Sequence, residues 1–197
     1  YSGASQRFNN NVNFYNDARF GNDNVGSTIF NNLTVQPRVG STAPVVVWVQ
    51  NTGGGNFTTA NGQLNLAGPA QLSVVHPLQI NGGLAGSANL DKYMNERLVI
   101  AGDSSSYSGD ITAYAGGLQS YTSSSTAKPF GTGNSITINP GAHIVLTAPT
   151  NINANQVTVN SDLGGIATIG QLYVGDPAAL PAMTINSTAS HFGVSLG

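Results

Sequence analysis

Two carboxylates bracket a serine-rich turn near the middle of the chain. Among the acidic residues of the chain, this pair has the spacing most suggestive of catalysis. Asp103 and Asp110 stand at the two ends of the stretch DSSSYSGD. Glycoside hydrolases need two carboxyl groups about 5–9.5 Å apart, on either side of the bond that they cleave. Aspartate also favours turns, because its side chain accepts hydrogen bonds from nearby backbone N–H groups. The turn interpretation is favoured, and we expect no catalytic residue in this chain.

Three tyrosines near these acids could contact a carbohydrate: Tyr107, Tyr114 and Tyr121. If they were exposed in a groove, their rings would offer apolar faces and their hydroxyls polar tips. Trp48 could also stack on a sugar, but it lies in the apolar run Pro44–Val49. Because such a run implies burial on both faces of a sheet, Trp48 is expected to be an ordinary core residue. Together with the two carboxylates, the tyrosines define an alternative function, a β-helix that binds or cleaves a polysaccharide.

Other reactive residue types are scattered. The chain has no cysteine and three histidines. The histidines show no HxH or HExxH spacing, so neither a metal site nor a cofactor is expected. Charged residues make up 7% of the chain and the formal net charge is −2. Nucleic-acid binding is not expected, because it requires clustered lysine and arginine.

The composition suits a protein outside the cell. A surface with few charges is a poor match for a crowded cytosol and a better one for a chain that assembles. No apolar run approaches the ~20 residues of a transmembrane helix. Tyr1 is not preceded by a basic and apolar leader, which predicts a mature exported chain or an excised fragment. Three Asn-x-Ser/Thr sequons are possible glycosylation sites: Asn32, Asn56 and Asn186.

Short apolar runs separated by Gly and Asn predict strands rather than helices. The stretch between Leu90 and Leu146 shows this pattern best, with LVIAGDSSSYSGDITAYAGGLQ at its centre. Turn residues recur about every ten positions and larger units about every 20 to 30, as is typical of solenoids. We therefore predict an all-β parallel β-helix over residues 33–197, in which stacked asparagines form ladders. An antiparallel β-sandwich or jelly roll is the alternative fold, and Asp91–Arg97 is expected to form one helical turn.

Residues 1–32 have a different composition, rich in asparagine and aromatic residues. Val12 and Phe14 alternate with asparagines, which indicates an extended segment. We interpret it as an N-terminal arm that docks on its own domain or on the next subunit, where it would add a strand to an open edge. The candidate assembly residues are Phe8, Val12, Phe14, Tyr15 and Phe20.

The order of Gly, Tyr and Leu in residues 78–146 carries a family resemblance. The matching positions are Leu90, Lys92, Leu98, Ile100, Gly102, Tyr107, Gly109, Gly117, Leu118, Gly131, Gly133, Gly141 and Ala142. This segment resembles the autotransporter-associated, or passenger-associated, β-strand repeat of bacterial surface proteins. It departs from the family at Met94–Glu96, where a Gly-x-Gly turn is usual, at Ser106, and where Ile111 precedes Thr112. The resemblance covers roughly a third of the chain and implies a right-handed parallel β-helix on a surface protein, usually without catalysis.

These patterns lead to one expected function and one alternative. We expect a non-enzymatic extracellular subunit of a surface fibre or surface layer, or the stalk of an adhesin. Identical subunits would join head to tail, because unlike ends that do not close on themselves generate a filament. A surface polysaccharide is the partner in the alternative function.

Overall fold

Short runs of alternating burial form the strands of this protein in a computed structural model. The structure describes residues 6–7, 10–22, 28–51, 58–122, 124, 126–132, 134–146, 156–161, 168–169 and 182–187. No helix occurs within these ranges. The strands are, in chain order, β1 (Gln6–Arg7), β2 (Val12–Phe14), β3 (Ala18–Asn22), β4 (Thr28–Phe30), β5 (Leu33–Val35), β6 (Val45–Asn51), β7 (Thr58–Ala60), β8 (Leu64–Leu66), β9 (Ala70–Val74), β10 (Leu78–Ile80), β11 (Leu84–Gly86), β12 (Leu90–Tyr93), β13 (Leu98–Ile100), β14 (Ile111–Ala113), β15 (Gly116–Ser120), β16 (Ser135–Ile138), β17 (Ala142–Leu146), β18 (Gln156–Ser161), β19 (Thr168–Ile169) and β20 (Ala182–Ser187).

These strands form three parallel sheets. Sheet I has the order β1-β4-β7-β10-β13-β15-β17-β19, sheet II the order β2-β5-β8-β11, and sheet III the order β3-β6-β9-β12-β14-β16-β18-β20. A strand pairs with its counterparts in the coils before and after it, as β10 does with β7 and β13. The predicted β-solenoid is confirmed. The antiparallel sandwich is wrong for the described residues, because all their strand pairings are parallel.

The central coils repeat every twenty residues. Leu78 pairs with Thr58 on one side and with Leu98 on the other, and Leu98 pairs with Leu118. Sheet III lengthens its repeat afterwards, since Ile111 pairs with Ile136. The predicted interval of about 20 to 30 residues is therefore the length of one coil in this part of the chain.

Alternation places one face of each strand in a shared core. Leu64 and Leu66 of β8 are buried and Asn65 between them is exposed. In β6 the structure differs from the expectation, because Val46 and Trp48 are only half-buried. The predicted burial of this strand on both faces is wrong, and so is the placement of Trp48 in the core: the strand is covered on one side only.

Sheet II ends at β11, and loops replace it in the following coils. Tyr107 continues the sheet by a single parallel bridge to Gly86. The connection between β15 and β16 then crosses the same side, where Ser104 N–H donates to Lys128 O at 3.1 Å and Thr132 N–H donates to Tyr107 O at 2.9 Å.

The described part of the N-terminal segment belongs to the solenoid. β2 pairs with β5 and β3 pairs with β6, so residues 10–22 form a coil. Within the predicted arm, residues 1–32, the described strands β2, β3 and β4 thus pair with strands of the predicted domain. Asp91–Arg97 also differs from the expectation: β12 extends through Tyr93 and no helical turn forms.

Candidate functional site

Both suggestive carboxylates are hydrogen-bonded to the backbone of the following coil. Asp103 Oδ1 accepts from Lys128 N–H at 2.9 Å, and its Oδ2 accepts from Ser105 Oγ at 2.7 Å. Asp110 Oδ1 accepts from Ser135 N–H at 2.9 Å. Burial acts to raise the pKa of Asp103, but the hydrogen bonds from Lys128 and Ser105 outweigh it and hold the pKa below its ordinary value. These contacts are those of turn-forming aspartates.

Tyr107 lies in the core and not in a groove. Its side chain is 0% exposed, and its hydroxyl lies 3.0 Å from Ala88 O and 3.1 Å from Asp110 O. Burial, followed by the charges of Asp110 and Asp91, raises the pKa of this phenol far above its ordinary value. The expectation that Tyr107 is exposed to a carbohydrate is wrong, because its ring fills the space left where sheet II ends.

The two other candidate tyrosines are exposed but differ in surroundings. Tyr114 stacks on Tyr93 with ring centroids 4.4 Å apart and ring planes 8° apart. Tyr121 is 62% exposed and lies directly after β15. One face of Tyr114 is thus covered by another ring, and the structure does not bring the three candidate tyrosines into one groove.

Trp48 and Tyr93 share an outward row on sheet III that sequence reasoning missed. In register, the row runs through Arg19, Trp48, Ser73 and Tyr93, and Tyr114 continues it by stacking on Tyr93. The guanidinium carbon of Arg19 lies 5.6 Å from the centroid of the Trp48 ring. The alternation of Leu72, Ser73 and Val74 is the signal that could have placed Ser73 on this outer face.

A buried cation closes the corner after β12. Lys92 is 0% exposed, and its Nζ donates to Met94 O at 2.6 Å and to Ala115 O. Burial lowers the pKa of Lys92 to about 8, and the Glu96 carboxylate only partly opposes this shift. Leu90 and Lys92 have the same parity along β12, and this signal could have placed the lysine inside.

His143 lies on β17, close enough to Lys92 and Arg97 to be affected by their charges. Burial lowers its pKa, and the positive charges of Lys92 and Arg97 lower it further. Gly117 separates Arg97 from His143: a Cβ at this glycine would lie 2.8 Å from His143 Nε2 and 2.9 Å from Arg97 Cγ. The space around Gly117 is therefore filled by the side chains of Arg97 and His143.

The N-terminal candidates form an aromatic cluster at one end of the core. Phe14 lies 5.4 Å from Phe20, and Phe20 lies 5.5 Å from Phe30, between ring centroids. Val12 packs against the same core and is partly buried, whereas Tyr15 is 49% exposed. Phe8 lies outside the described residues.

A cavity of about 350 Å³ opens beside this cluster. Tyr15, Asp17 and Arg38 are among its lining residues. Asp17 Oδ1 already accepts a hydrogen bond from Val46 N–H at 2.9 Å. The cavity therefore has an aromatic and a cationic wall, while one of the carboxylate oxygens is used to hold β6 in place.

The described sequon asparagine is part of a ladder. Asn32 Nδ2 donates to Asn11 Oδ1 at 3.1 Å, and Asn32 Oδ1 accepts from Gln63 N–H at 2.9 Å. A glycan on Asn32 Nδ2 would displace the first of these contacts. Asn56 and the side chain of Asn186 lie outside what the structure describes.

In the part of the chain that the structure describes, no three His, Asp or Glu side chains are grouped as a metal site would require. No helix among the same residues is long and apolar enough to cross a membrane. Comparison with known proteins found no matching family model, no matching curated protein and no matching solved structure.

Proposed function

We propose that this chain is a non-enzymatic structural protein of the cell exterior, a solenoid subunit that joins identical subunits end to end. The observation that carries the proposal is the direction of the backbone hydrogen bonds at the outermost described strands. The resemblance to the autotransporter-associated repeat and the low charge of the chain support an extracellular place.

Inward-facing residues direct their backbone groups toward the following coil. Leu90 N–H donates to Asp110 O at 2.9 Å, and Lys92 O accepts from Tyr114 N–H at 2.8 Å. The first described coil behaves alike, since Val12 N–H donates to Asn32 O at 2.9 Å. Because backbone groups alternate in direction along a strand, outward-facing residues are directed toward the preceding coil.

This rule identifies the backbone groups of β3, the last described strand of sheet III, that have no strand beside them among the described residues. Ala18 and Phe20 face the core and pair with β6, so the N–H and C=O of Arg19 point away from β6. At the other end, β20 pairs with β18 on one side only within the described residues. Such unpaired edges are templates for a further strand, and we infer that β20 of one copy pairs with β3 of the next.

The end of the core at β3 is apolar and incompletely covered. Phe20 of β3 packs against the core but is only partly buried. A further coil stacked on β3 would cover its ring, and burial of apolar surface contributes about 25 cal/mol per Å². The same register continues at ~4.8 Å per strand, as within the solenoid.

Arg19→Pro tests the edge directly. Proline removes the N–H that the next copy would use, whereas Arg19→Ala keeps it, and both lose the contact with Trp48 equally. We expect wild type and Arg19→Ala to assemble, and Arg19→Pro to remain dispersed in analytical ultracentrifugation, with equal circular dichroism for all three.

Equal assembly of the proline and alanine variants would contradict edge pairing at β3. Polysaccharide cleavage that is lost in Asp103→Asn or Asp110→Asn would contradict the non-enzymatic role itself, because both carboxylates would then have a function besides their turns.

A further inference from the structure

The outward row on sheet III contains one position unlike its neighbours. Ser73 lies between Trp48 and Tyr93, in register with both. Leu72 and Val74 on either side of it belong to the core, so the Ser73 side chain is directed outward. When its two aromatic neighbours part, this small residue becomes the floor of a slot whose walls are the two rings.

The floor of this slot is polar and unsatisfied. Ser73 is 1% exposed, and its Oγ has no hydrogen-bond partner among the described protein atoms. Buried hydroxyls are almost always hydrogen-bonded, so one without a partner requires an explanation. A ligand hydroxyl that reaches the floor would supply the partner.

The strand positions of the two aromatic residues leave room for one ring. Trp48 and Tyr93 lie on strands two steps apart, and two strand spacings amount to ~9.6 Å. A ring held between two aromatic rings needs them about 7–8 Å apart, since carbon atoms make contact at about 3.5–4.0 Å. One ligand ring can therefore lie above Ser73 once the aromatic side chains that cover it have parted.

The rim of the slot is also suited to a sugar. The neighbouring outward row carries Gln71 and Asp91, which pair in register and are both half-buried. An amide and a carboxylate offer donors and acceptors to ring hydroxyls. Arg19 at one end of the row and Asp91 beside it have opposite charges, which favours a neutral ligand.

We propose that Trp48, Ser73 and Tyr93 form a binding site for one pyranose unit of a neutral glycan. The sugar ring lies between the indole and phenol faces, and Ser73 Oγ hydrogen-bonds one of its hydroxyls. Aromatic walls with a few fixed polar groups are the usual composition of small-ligand sites. The site is independent of end-to-end assembly, because none of its three residues lies on an outermost strand.

One wall has to move before a ligand reaches the floor. Tyr93 is fixed by its stacking on Tyr114 at 4.4 Å. The Trp48 ring lies beside the exposed Arg19 guanidinium, whose carbon atom is 5.6 Å from the ring centroid, and contacts of this kind contribute little at exposed sites. We therefore assign the movement to Trp48.

Trp48 is the only tryptophan in the chain, so its fluorescence reports the site alone. The probes are β-linked glucose hexasaccharide, β-linked N-acetylglucosamine hexasaccharide and mannose hexasaccharide, with adenosine as a flat-ring competitor. We expect a saturable change in Trp48 emission with at least one hexasaccharide. Ser73→Ala should weaken that binding about fivefold, the effect of one hydrogen bond, and leave the urea midpoint unchanged or raised.

Tyr121→Ala is the matched control, since Tyr121 is exposed outside the row, and it should bind as wild type does. No emission change with any hexasaccharide up to about 10 mM, well above the concentrations of specific binding, would overturn the proposal. Tighter binding of adenosine than of the glycans would overturn the sugar assignment, and equal affinities of wild type and Ser73→Ala would overturn the role of the floor.

Discussion

Lys92 and Tyr107 show how single polar residues are accommodated inside an apolar solenoid. Each has its polar group at the end of a side chain that crosses the core, and each ends on backbone carbonyl oxygens: Lys92 on Met94 O and Ala115 O, Tyr107 near Ala88 O and Asp110 O. Met94 adopts a positive φ of 70°, which is uncommon for a side chain of this kind. The lysine thereby fixes a corner that the chain would otherwise not favour.

The buried lysine predicts a pH dependence of stability. The pKa of Lys92 is about 8 in the folded protein against about 10.4 in an unfolded chain. Between these values the unfolded chain binds the extra proton, so the free energy of unfolding rises with pH, by at most about 1.4 kcal/mol per pH unit. We expect the urea midpoint of wild type to rise from pH 7.5 to pH 9.5 and that of Lys92→Met to stay flat. The charged and titratable groups around Lys92 are Glu96, Arg97 and His143. Of these, His143 is already neutral between pH 7.5 and pH 9.5, because its pKa is lowered.

An equal rise in the Lys92→Met variant would show that another group is responsible. The comparison is confined to values below pH 10, where unfolded tyrosines begin to ionise.

The corners between sheets I and II are built as two vertical stacks, one of asparagine and one of glycine. Asn81 Nδ2 donates to Asn61 Oδ1 at 3.0 Å, and Asn31 Nδ2 donates to Asn11 Oδ1 at 3.0 Å. The predicted asparagine ladders are confirmed, and a further rung joins Asn160 to Asn139. Glycine follows the asparagine because the backbones of successive coils nearly touch there.

Gly82→Ala tests the glycine stack. A Cβ at Gly82 would lie 2.5 Å from Gly62 C, against backbone that cannot move aside. Overpacking of this kind costs about 1–3 kcal/mol, so the variant should unfold at lower urea. Ser87→Ala at an exposed position of the next corner is the control, and a surface change should alter stability by no more than about 0.5 kcal/mol. A Gly82→Ala variant as stable as the control would show that the coils can separate at this corner.

Alternation was enough to predict the strands and the repeat, but not which face of a particular strand is covered. The run Pro44–Val49 is apolar throughout, yet Val46 and Trp48 are only half-buried, so one face of this strand lies outside the core. Composition alone sets the Asn-rich N-terminal segment apart from the domain, but it does not show where a residue lies in a coil. Asn11 lies at a corner, where its side chain accepts a hydrogen bond from Asn32. The outward row with Ser73 required the register between distant strands, which the sequence does not contain.

The described residues form an axial stack in which many side-chain hydrogen bonds join neighbouring coils. Asp17, Asn89 and Asp110 each accept a hydrogen bond from the backbone of the following coil. A coil therefore stabilises the next one wherever it stands, and a subunit placed on the end could use the same contacts. This repetition along one axis favours extension by self-association over a closed assembly.

Electron cryo-microscopy of the purified chain tests the proposed assembly most directly. We expect unbranched filaments one solenoid wide, with a layer line at ~4.8 Å along the filament axis because the strands lie across it. If wild type instead forms only dispersed particles of single-subunit size and cannot be distinguished from Arg19→Pro, the account is contradicted.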